Sequence, residues 1–321
     1  MKHFQTPLKN RMDRLGDIRL FVEAAELGSL SAAGRKLNLT PAAASARLAK
    51  LEAQVSTRLF ERSTRRLRLT DEGRLYLNCC RQALQALDDA DAMLQEGRHA
   101  VSGKVRLSST SDFGRHLLLD WLDAFIVRYP DMRFSLTASD SSSNLWQDEI
   151  DLAIRFAAPP DGALVARRLA TNRRVLCASP AFVAAHGTPK DPHDLARFPC
   201  NVITIASGPL NVWRFTRGDE TQTYTVPLDN AHETNDGGLT REWTIRGYGI
   251  ALKSIWDIAD DVRAGRLQVL LPDWRHHDAP LHAIYHSKRY MPPRVRVLLD
   301  YLVERFAQEE AALDDLLNAC R

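Results

Sequence analysis

Apolar positions recur at steps of three and four between Arg14 and Leu27, where Leu15, Ile18, Leu20, Phe21, Ala24, Ala25 and Leu27 form one stripe that stops at Gly28. That spacing predicts an amphipathic helix ended by glycine. Ser29 or Ser31 can cap a short second helix over Ala32–Leu37, whose Ala32-Ala33-Gly34 run lets another backbone approach closely, and Asn38 closes it. Thr40 caps a third helix with Pro41 at its first position, and Leu48, Leu51 and Val55 carry its buried stripe to about Ser56. Over Arg62–Thr70 the period changes: Leu67 and Leu69 alternate with Arg66 and Arg68, as in a short β-ribbon with one packed face. On a helix capped by Thr70, the residues Leu77, Cys80, Leu84, Leu87, Asp91 and Leu94 then follow a 3-4-3-4-3 spacing with one charge among them. Such a seam must bury itself, against the same helix of a second copy or against its own head domain. Gly97–Gly103 has almost no apolar anchor and predicts a hinge.

Beyond the hinge, strand and helix patterns alternate. Strands are predicted at Lys104–Ser109, Met132–Thr137 and Ile150–Phe156, with an amphipathic helix over Phe113–Tyr129 and a short one over Leu145–Glu149. A second group begins at Val175–Cys177 and includes Val202–Ile205, Trp213–Phe215, Thr223–Val226 and a helix-strand pair around Glu242–Leu252. The chain ends with a strand at Leu281–Tyr285 and a helix at Pro293–Gln308. This alternation predicts a mostly parallel α/β sheet.

Charge sharpens the picture. Residues 1–70 carry 14 Lys and Arg against 6 acids, a net +8, while the remaining 251 carry 29 against 34, a net −5. A basic head on a mildly acidic body is what a polyanion-binding module joined to another domain looks like, because phosphate contacts dominate affinity for nucleic acid. Short helix, tight turn and longer helix form a helix-turn-helix, whose second member enters the major groove; a plain three-helix bundle is the competing reading. On that helix, Thr40, Pro41, Ala42, Ala43 and Ala46 permit close approach, Ser45 can bond a base edge or phosphate, Arg47 can fork onto guanine, and Lys50 suits phosphate. Thr64, Arg65 and Arg66 at the ribbon tip suit a narrow minor groove.

The chain resembles the LysR-type bacterial transcriptional regulators along nearly its whole length. The matching residues are Leu20-Phe21, Ala24, Gly28-Ser29, Ser31-Ala32-Ala33, Leu37, Thr40 to Ser45, Leu51-Glu52, Arg58-Leu59-Phe60, and Arg62 to Arg66 closing with Leu69-Thr70-Asp71-Glu72-Gly73. Ser56 stands where the family usually has a helix-ending glycine, and Met1–Met12 precedes the usual start. The resemblance implies a winged helix-turn-helix (residues 13–70) after an N-terminal extension (1–12), then a dimerising linker helix (71–96) and a hinge (97–103). An α/β two-lobed, periplasmic-binding-protein-like effector domain (104–310) follows, with a tail at 311–321. Lobe I takes about 104–170 and 272–310, and lobe II about 175–267, with crossovers near Leu169–Val175 and Leu267–Leu271. It further implies promoter DNA as partner, a dimer of dimers, contact with RNA polymerase at activated promoters, and dimerisation through Leu77, Cys80, Leu84, Leu87 and Leu94.

Ligands in such sheets bind outside the carboxyl ends of strands, where helix N-termini offer N–H groups. The candidates are Ser109, Thr110, Ser111, Asp112, Ser139 and Asp140 in lobe I, and Thr204, Ile205, Asn235 and Asp236 in lobe II, each of whose polar side chains could equally serve as a helix cap. A small-molecule effector, most naturally an organic acid, is expected, although Asp112, Asp140 and Asp236 weigh against a pure anion unless Arg115 or His116 offsets them. A two-lobed enzyme and a solute-binding protein with a basic accessory domain are the alternatives. The chain has no G-x-S-x-G, P-loop, dinucleotide fingerprint or H-E-x-x-H, Cys177 has no evident base, and His276-His277 reads as a solvated loop pair. Neither enzyme activity, cofactor nor metal is expected. Five scattered cysteines suggest reduced thiols, with Cys79 and Cys80 as small apolar fillers, and the longest charge-free stretch, Phe198–Trp213, carries two prolines; a cytoplasmic protein is expected.

Overall fold

The computed structural model describes residues 8–61, 67–94, 101–140, 150–156, 164–286 and 291–320. It divides into two compact units, residues 1–99 and 100–321.

The first unit is helical: α1 (Leu8–Leu27), α2 (Leu30–Lys36), α3 (Pro41–Val55) and α4 (Asp71–Leu94). Helix α1 starts at Leu8, inside the segment expected to be an extension. The Ser29 and Thr40 side chains accept from Ala32 N and Ala43 N, so Ser29 rather than Ser31 caps α2. Leu20, Phe21, Ala24, Leu51 and Leu59 form a closed core in which the Phe21 ring meets Phe60 edge-on at 5.4 Å. The wing base is narrower than the ribbon expected: one antiparallel bridge joins Phe60 to Leu69, and Glu61 N donates to Arg68 O. The tip, with Thr64, Arg65 and Arg66, lies outside the described residues.

Helix α4 corrects the expected seam. Leu77 and Cys80 are buried in the core of their own head, with Leu84 packed against it, because α1 presents Phe21 to that face and the Tyr76 ring meets it at a tilt, 5.6 Å away. Leu77 and Cys80 are thus committed to their own head, while Leu84 is half-buried. Leu87 remains exposed, as does Leu75, and the Leu94 side chain lies outside the described residues. Cys79 is exposed and is no core filler.

In the second unit β1 (Gly103–Ser109) leads into a helical run of α5 (Ser111–Phe113), a π-helical turn (Gly114–Leu118) and α6 (Leu119–Arg128). Strands β2 (Met132–Ala138), β3 (Leu152–Phe156) and β4 (Leu164–Ala170) follow, and the short helix expected at 145–149 lies outside the described residues. The chain then crosses to β5 (Arg174–Ala178), α7 (Pro180–His186), β6 (Cys200–Ile205), β7 (Gly208–Pro209) and the hairpin β8 (Val212–Arg217) and β9 (Glu220–Thr225). It continues through β10 (Ala231–Thr234), α8 (Gly237–Ile245), β11 (Ile250–Ser254), α9 (Ile255–Arg263), β12 (Gln268–Leu270) and β13 (Arg275–His276), and ends with β14 (Leu281–His286) and α10 (Pro293–Ala319).

Two larger sheets result, ordered β2-β1-β3-β14-β4 and β10-β6-β11-β5-β12, with β13-β8-β9 as a separate three-stranded sheet. Both larger sheets are mixed rather than mostly parallel: β14 runs antiparallel to β3 and β4, and β5 antiparallel to β11 and β12. Leu267–Leu271, expected to be a crossover, instead contains the edge strand β12, paired to β5; the chain returns to the first sheet after β13. The tail expected at 311–321 is the last part of α10, where Leu313 and Leu317 are buried. Helix α9 follows a strand of the second sheet yet packs into the core of the first lobe, its Trp256 ring 5.1 Å from Phe306. Buried Asn172 joins the two crossing segments, donating to Ala279 O and accepting from Ser254 Oγ.

Ser56 caps α3 in the left-handed region, φ 53°. A side chain there costs on the order of 1 kcal/mol. Ser56→Gly is expected to raise the unfolding free energy of the head by roughly 0.5–1 kcal/mol, read as an upward shift of its thermal transition; an unchanged or lower midpoint would show that the turn is not strained.

Candidate nucleic-acid face and ligand cleft

On α3, Pro41, Ala42, Ser45 and Ala46 are exposed, Ala43 is half-buried, and Ala44, Leu48 and Leu51 face the core. One face therefore offers small groups and a hydroxyl along two turns, with Thr40 exposed at its cap. Arg47 and Lys50 are each 42% exposed and share the buried Asp17 of α1, at 3.8 Å from either cation. This acid does not appear in sequence reasoning, since it lies 30 residues away and its position on α1 matches the polar face. It holds two cations of the exposed face against α1 and restrains their rotamers. Glu52 accepts from Leu59 N and so fixes the exit from α3 toward the wing.

The second unit holds a cleft of roughly 200 Å3 between its sheets. Thr110, Asp112, Asp140 and Ile205, four of the expected residues, line it. The other six do not. Ser109 is fully buried with its hydroxyl donating to Thr110 O, and Ser139 supplies a backbone N–H to Ser109 O. Thr204 turns to Glu233, and Asn235 stands outside the lining. Ser111 is buried, bonding Asp140 and Asp236.

The helix N-termini, expected to offer free N–H groups, are already satisfied. The Asp140 carboxylate accepts from Ser111 N at 3.3 Å in one lobe and from Gly237 N at 2.8 Å in the other. Asp236 caps its own helix through Gly238 N and Leu239 N, and its backbone carbonyl accepts from Thr240 N. An internal carboxylate thus occupies the place where an external one was expected, since an N-terminus attracts whichever anion lies within reach.

Cations that sequence reasoning missed fill the interior. Lys253 of β11 is buried, reaching Asp112 at 2.5 Å, Asp257 at 3.6 Å and Gly237 O at 2.9 Å. Burial opposes charge on Asp112, but Lys253 and His116 (2.9 Å) overcome it and hold the carboxyl below its ordinary pKa. The same contact raises His116. Burial would also raise Asp236, yet Arg115 at 3.0 Å and the Ser111 hydroxyl pull it down. Asp112 and Asp236, two of the three acids feared to repel an anion, are neutralised as Arg115 and His116 allowed. Asp257 is different: desolvation outweighs Lys253 and pushes it up to about 7.

Two guanidiniums remain. Arg155 of β3 is buried, donates to Ser108 Oγ at 2.6 Å and to Ile154 O, and keeps its Nε without a partner; desolvation lowers it to about 10. Arg174 of β5, lowered by burial, meets no acceptor at hydrogen-bond or ion-pair distance among the described residues. The signal was available: Arg155 in Leu-Ala-Ile-Arg-Phe and Lys253 in Ile-Ala-Leu-Lys-Ser are charges inside strands that are otherwise apolar, and buried charge requires a partner. Val202, Ile203, Leu210 and Trp213 give the cleft an apolar wall, and the Asn201 Oδ1 is buried without a donor.

Cys177 and Cys200 are buried thiols pushed up to about 12, and His276 is not a solvated loop residue but part of β13, buried and lowered to about 4 by desolvation. Among the described residues no helix is long and apolar enough to cross a membrane.

Residues 15–74 match the family described as bacterial regulatory helix-turn-helix protein, lysR family, and residues 98–307 match the LysR substrate binding domain. The HTH-type transcriptional regulator DmlR of Escherichia coli strain K12 is 33% identical over 301 residues, covering 93% of this chain and 96% of DmlR. PtxR of Pseudomonas aeruginosa is 32% identical over 303 residues, covering 93% and 96%. The solved structure of CrgA, a LysR-type regulator from Neisseria meningitidis, is 30% identical, covers 91% of this chain and 98% of its own, and superposes with a TM-score of 0.59.

Replacing Lys253 by Met should cost about 3–5 kcal/mol, because it strands Asp112 beside a dry Asp257. Asp257 yields a second expectation with a definite sign. Its folded pKa exceeds its unfolded one, so the folded state binds more protons and loses stability as pH rises from about 4 through about 7. Asp257→Asn should therefore be more stable than wild type at pH 8, and the gain should shrink toward pH 5. Urea melts at both pH values check this; a gain independent of pH would mean that Asp257 is ionised throughout.

Proposed function

The chain belongs to the LysR family, as a DNA-binding transcriptional regulator with a substrate-binding domain rather than an enzyme, and from that premise we propose that a small organic anion controls it by binding Arg155 and Arg174 in the cleft. The observation that carries this reading is that the cleft is lined both by Arg174, whose guanidinium meets no acceptor at hydrogen-bond or ion-pair distance among the described residues, and by the incompletely bonded Arg155. Arg174 is half-buried with Asp257 as its electrostatic neighbour but no direct acceptor, and an entering carboxylate would supply a contact. The apolar wall favours an acid with an apolar body, and Asn201 Oδ1 favours one donor group on it. The grip expected at Thr110, Ser111, Thr204 and Asn235 is replaced by these arginines, because Asp140 and Asp236 already use the helix N-termini. Ligand contact to both sheets stabilises one lobe arrangement, which is how an effector shifts a population.

Promoter DNA is read by Pro41, Ala42, Ser45, Ala46 and Arg47 of α3, with Thr40, Ala43, Lys50 and the wing residues Thr64, Arg65 and Arg66 supporting. A +8 head displaces counterions on binding, so affinity falls steeply with salt. The exposed i, i+4 series Leu75, Cys79, Ala83 and Leu87 replaces the buried seam as the face of α4 that meets a second copy. A dimer of dimers and contact with RNA polymerase complete the proposal, carried by the family pattern.

Anisotropy titration against the chain's own upstream intergenic duplex tests the DNA reading. Arg47→Ala should cost roughly 1–3 kcal/mol and relax base choice; no binding at about 50 mM salt sinks it. Leu87→Asp should yield monomers in light scattering while the head stays folded, whereas an unchanged mass assigns dimerisation elsewhere. For the cleft, a thermal-shift screen of carboxylic acids should produce a hit that Arg174→Ala abolishes; a hit equally strong in that variant places the effector outside the cleft.

A further inference from the structure

We propose that the second unit holds another ligand site, a cavity that shares Arg174 with the cleft and takes a small amphipathic anion, a carboxylate on a short apolar tail. The cavity encloses roughly 290 Å3, more than the cleft. Arg173, Arg174 and Arg275 supply its charge, against one lining acid, Asp278. Arg173 leans toward Asp314 at 3.7 Å, but among the described residues neither Arg174 nor Arg275 has a carboxylate within ion-pair distance. The apolar part of the lining includes Leu176, Leu270 and Leu317. A cavity lined by several guanidiniums and by aliphatic groups is complementary to a molecule with a charged head and an apolar tail.

Three further observations point the same way. Trp274, in the lining, is buried and its indole N–H finds no acceptor. A buried donor left unmade costs energy that a ligand oxygen would recover. Leu271 is held at φ 50°, and its carbonyl accepts from Trp274 N, so a strained residue holds the backbone turn that carries the indole. His276 and His277 stand beside the arginines, and burial together with Arg174 depresses both, which marks a positive local potential. Because one guanidinium lines both cavities, an anion in either competes for it, and the two occupancies oppose each other by one reciprocal factor. That coupling rests on the cleft reading; the site itself does not.

Calorimetric titration of the full chain with sodium hexanoate at constant ionic strength tests the site. Saturable binding is expected, weakened at least tenfold by Arg275→Gln and changed less than twofold by Arg155→Gln. Arg275 is exposed and pairs with β8 through its backbone, so the variant keeps its fold. Absence of saturable binding overturns the proposal, as does an affinity unchanged in Arg275→Gln. If Arg155→Gln alone abolishes binding, hexanoate occupies the cleft: the cleft reading stands and this second site fails.

Discussion

The buried contact between Lys253 and Asp112 sets the terms for the second unit. Lys253 belongs to the second sheet and Asp112 to the helical run of the first lobe, so their attraction acts across the gap between the sheets. Neither charge could be buried alone, and the pair is supported by Gly237 O, which accepts from Lys253, and by His116 at ion-pair distance from Asp112. Asp257 shares the same lysine, yet desolvation outweighs that attraction and pushes it up to about 7. Helix α9 carries Asp257 and packs through Trp256 onto the first-lobe core, so any movement of the lobes must be accommodated by this charged cluster.

The second consequence concerns where negative charge is welcome. Asp140 bridges Ser111 N and Gly237 N, one from each lobe, and Asp236 caps α8 while pairing with Arg115. The protein thereby supplies its own anions to both helix N-termini. Donor groups without an acceptor remain on Arg155, at its Nε, and on Arg174, both in the lining of the cleft. An external acid is thus gripped by guanidinium rather than by backbone, which favours bidentate geometry and a fixed carboxylate orientation.

In the head, an equivalent internal acid governs the exposed face. Asp17, buried on α1, holds Arg47 and Lys50 of α3 without fully covering them. A cation restrained before binding loses less side-chain entropy on meeting its target. Helix α4 serves the same unit twice, sealing the core with Leu77 and Cys80 while leaving Leu75 and Leu87 exposed.

Much of this was legible in the chain itself. The 3.6-residue stripes, the caps at Ser29 and Thr40, Pro41 at a first turn and the strand patterns are local, and local rules act over a few residues wherever the segment lies. The basic head and the family resemblance needed only composition and short motifs. Pairing was not legible. Whether Leu77 meets its own head or a partner, whether Leu267–Leu271 crosses between sheets or edges one, and whether α10 stops near Gln308 or runs to Ala319 depend on which surface lies opposite. The site shows the same limit. Thr110, Asp112 and Asp140 were found because they follow strands, but the occupation of both helix N-termini by Asp140 joins it to Ser111 and Gly237, 29 and 97 positions away, and the exposure of Arg174 to two cavities likewise joins distant segments. Electrostatic partners are chosen by distance in space and by desolvation, and only the folded chain fixes either.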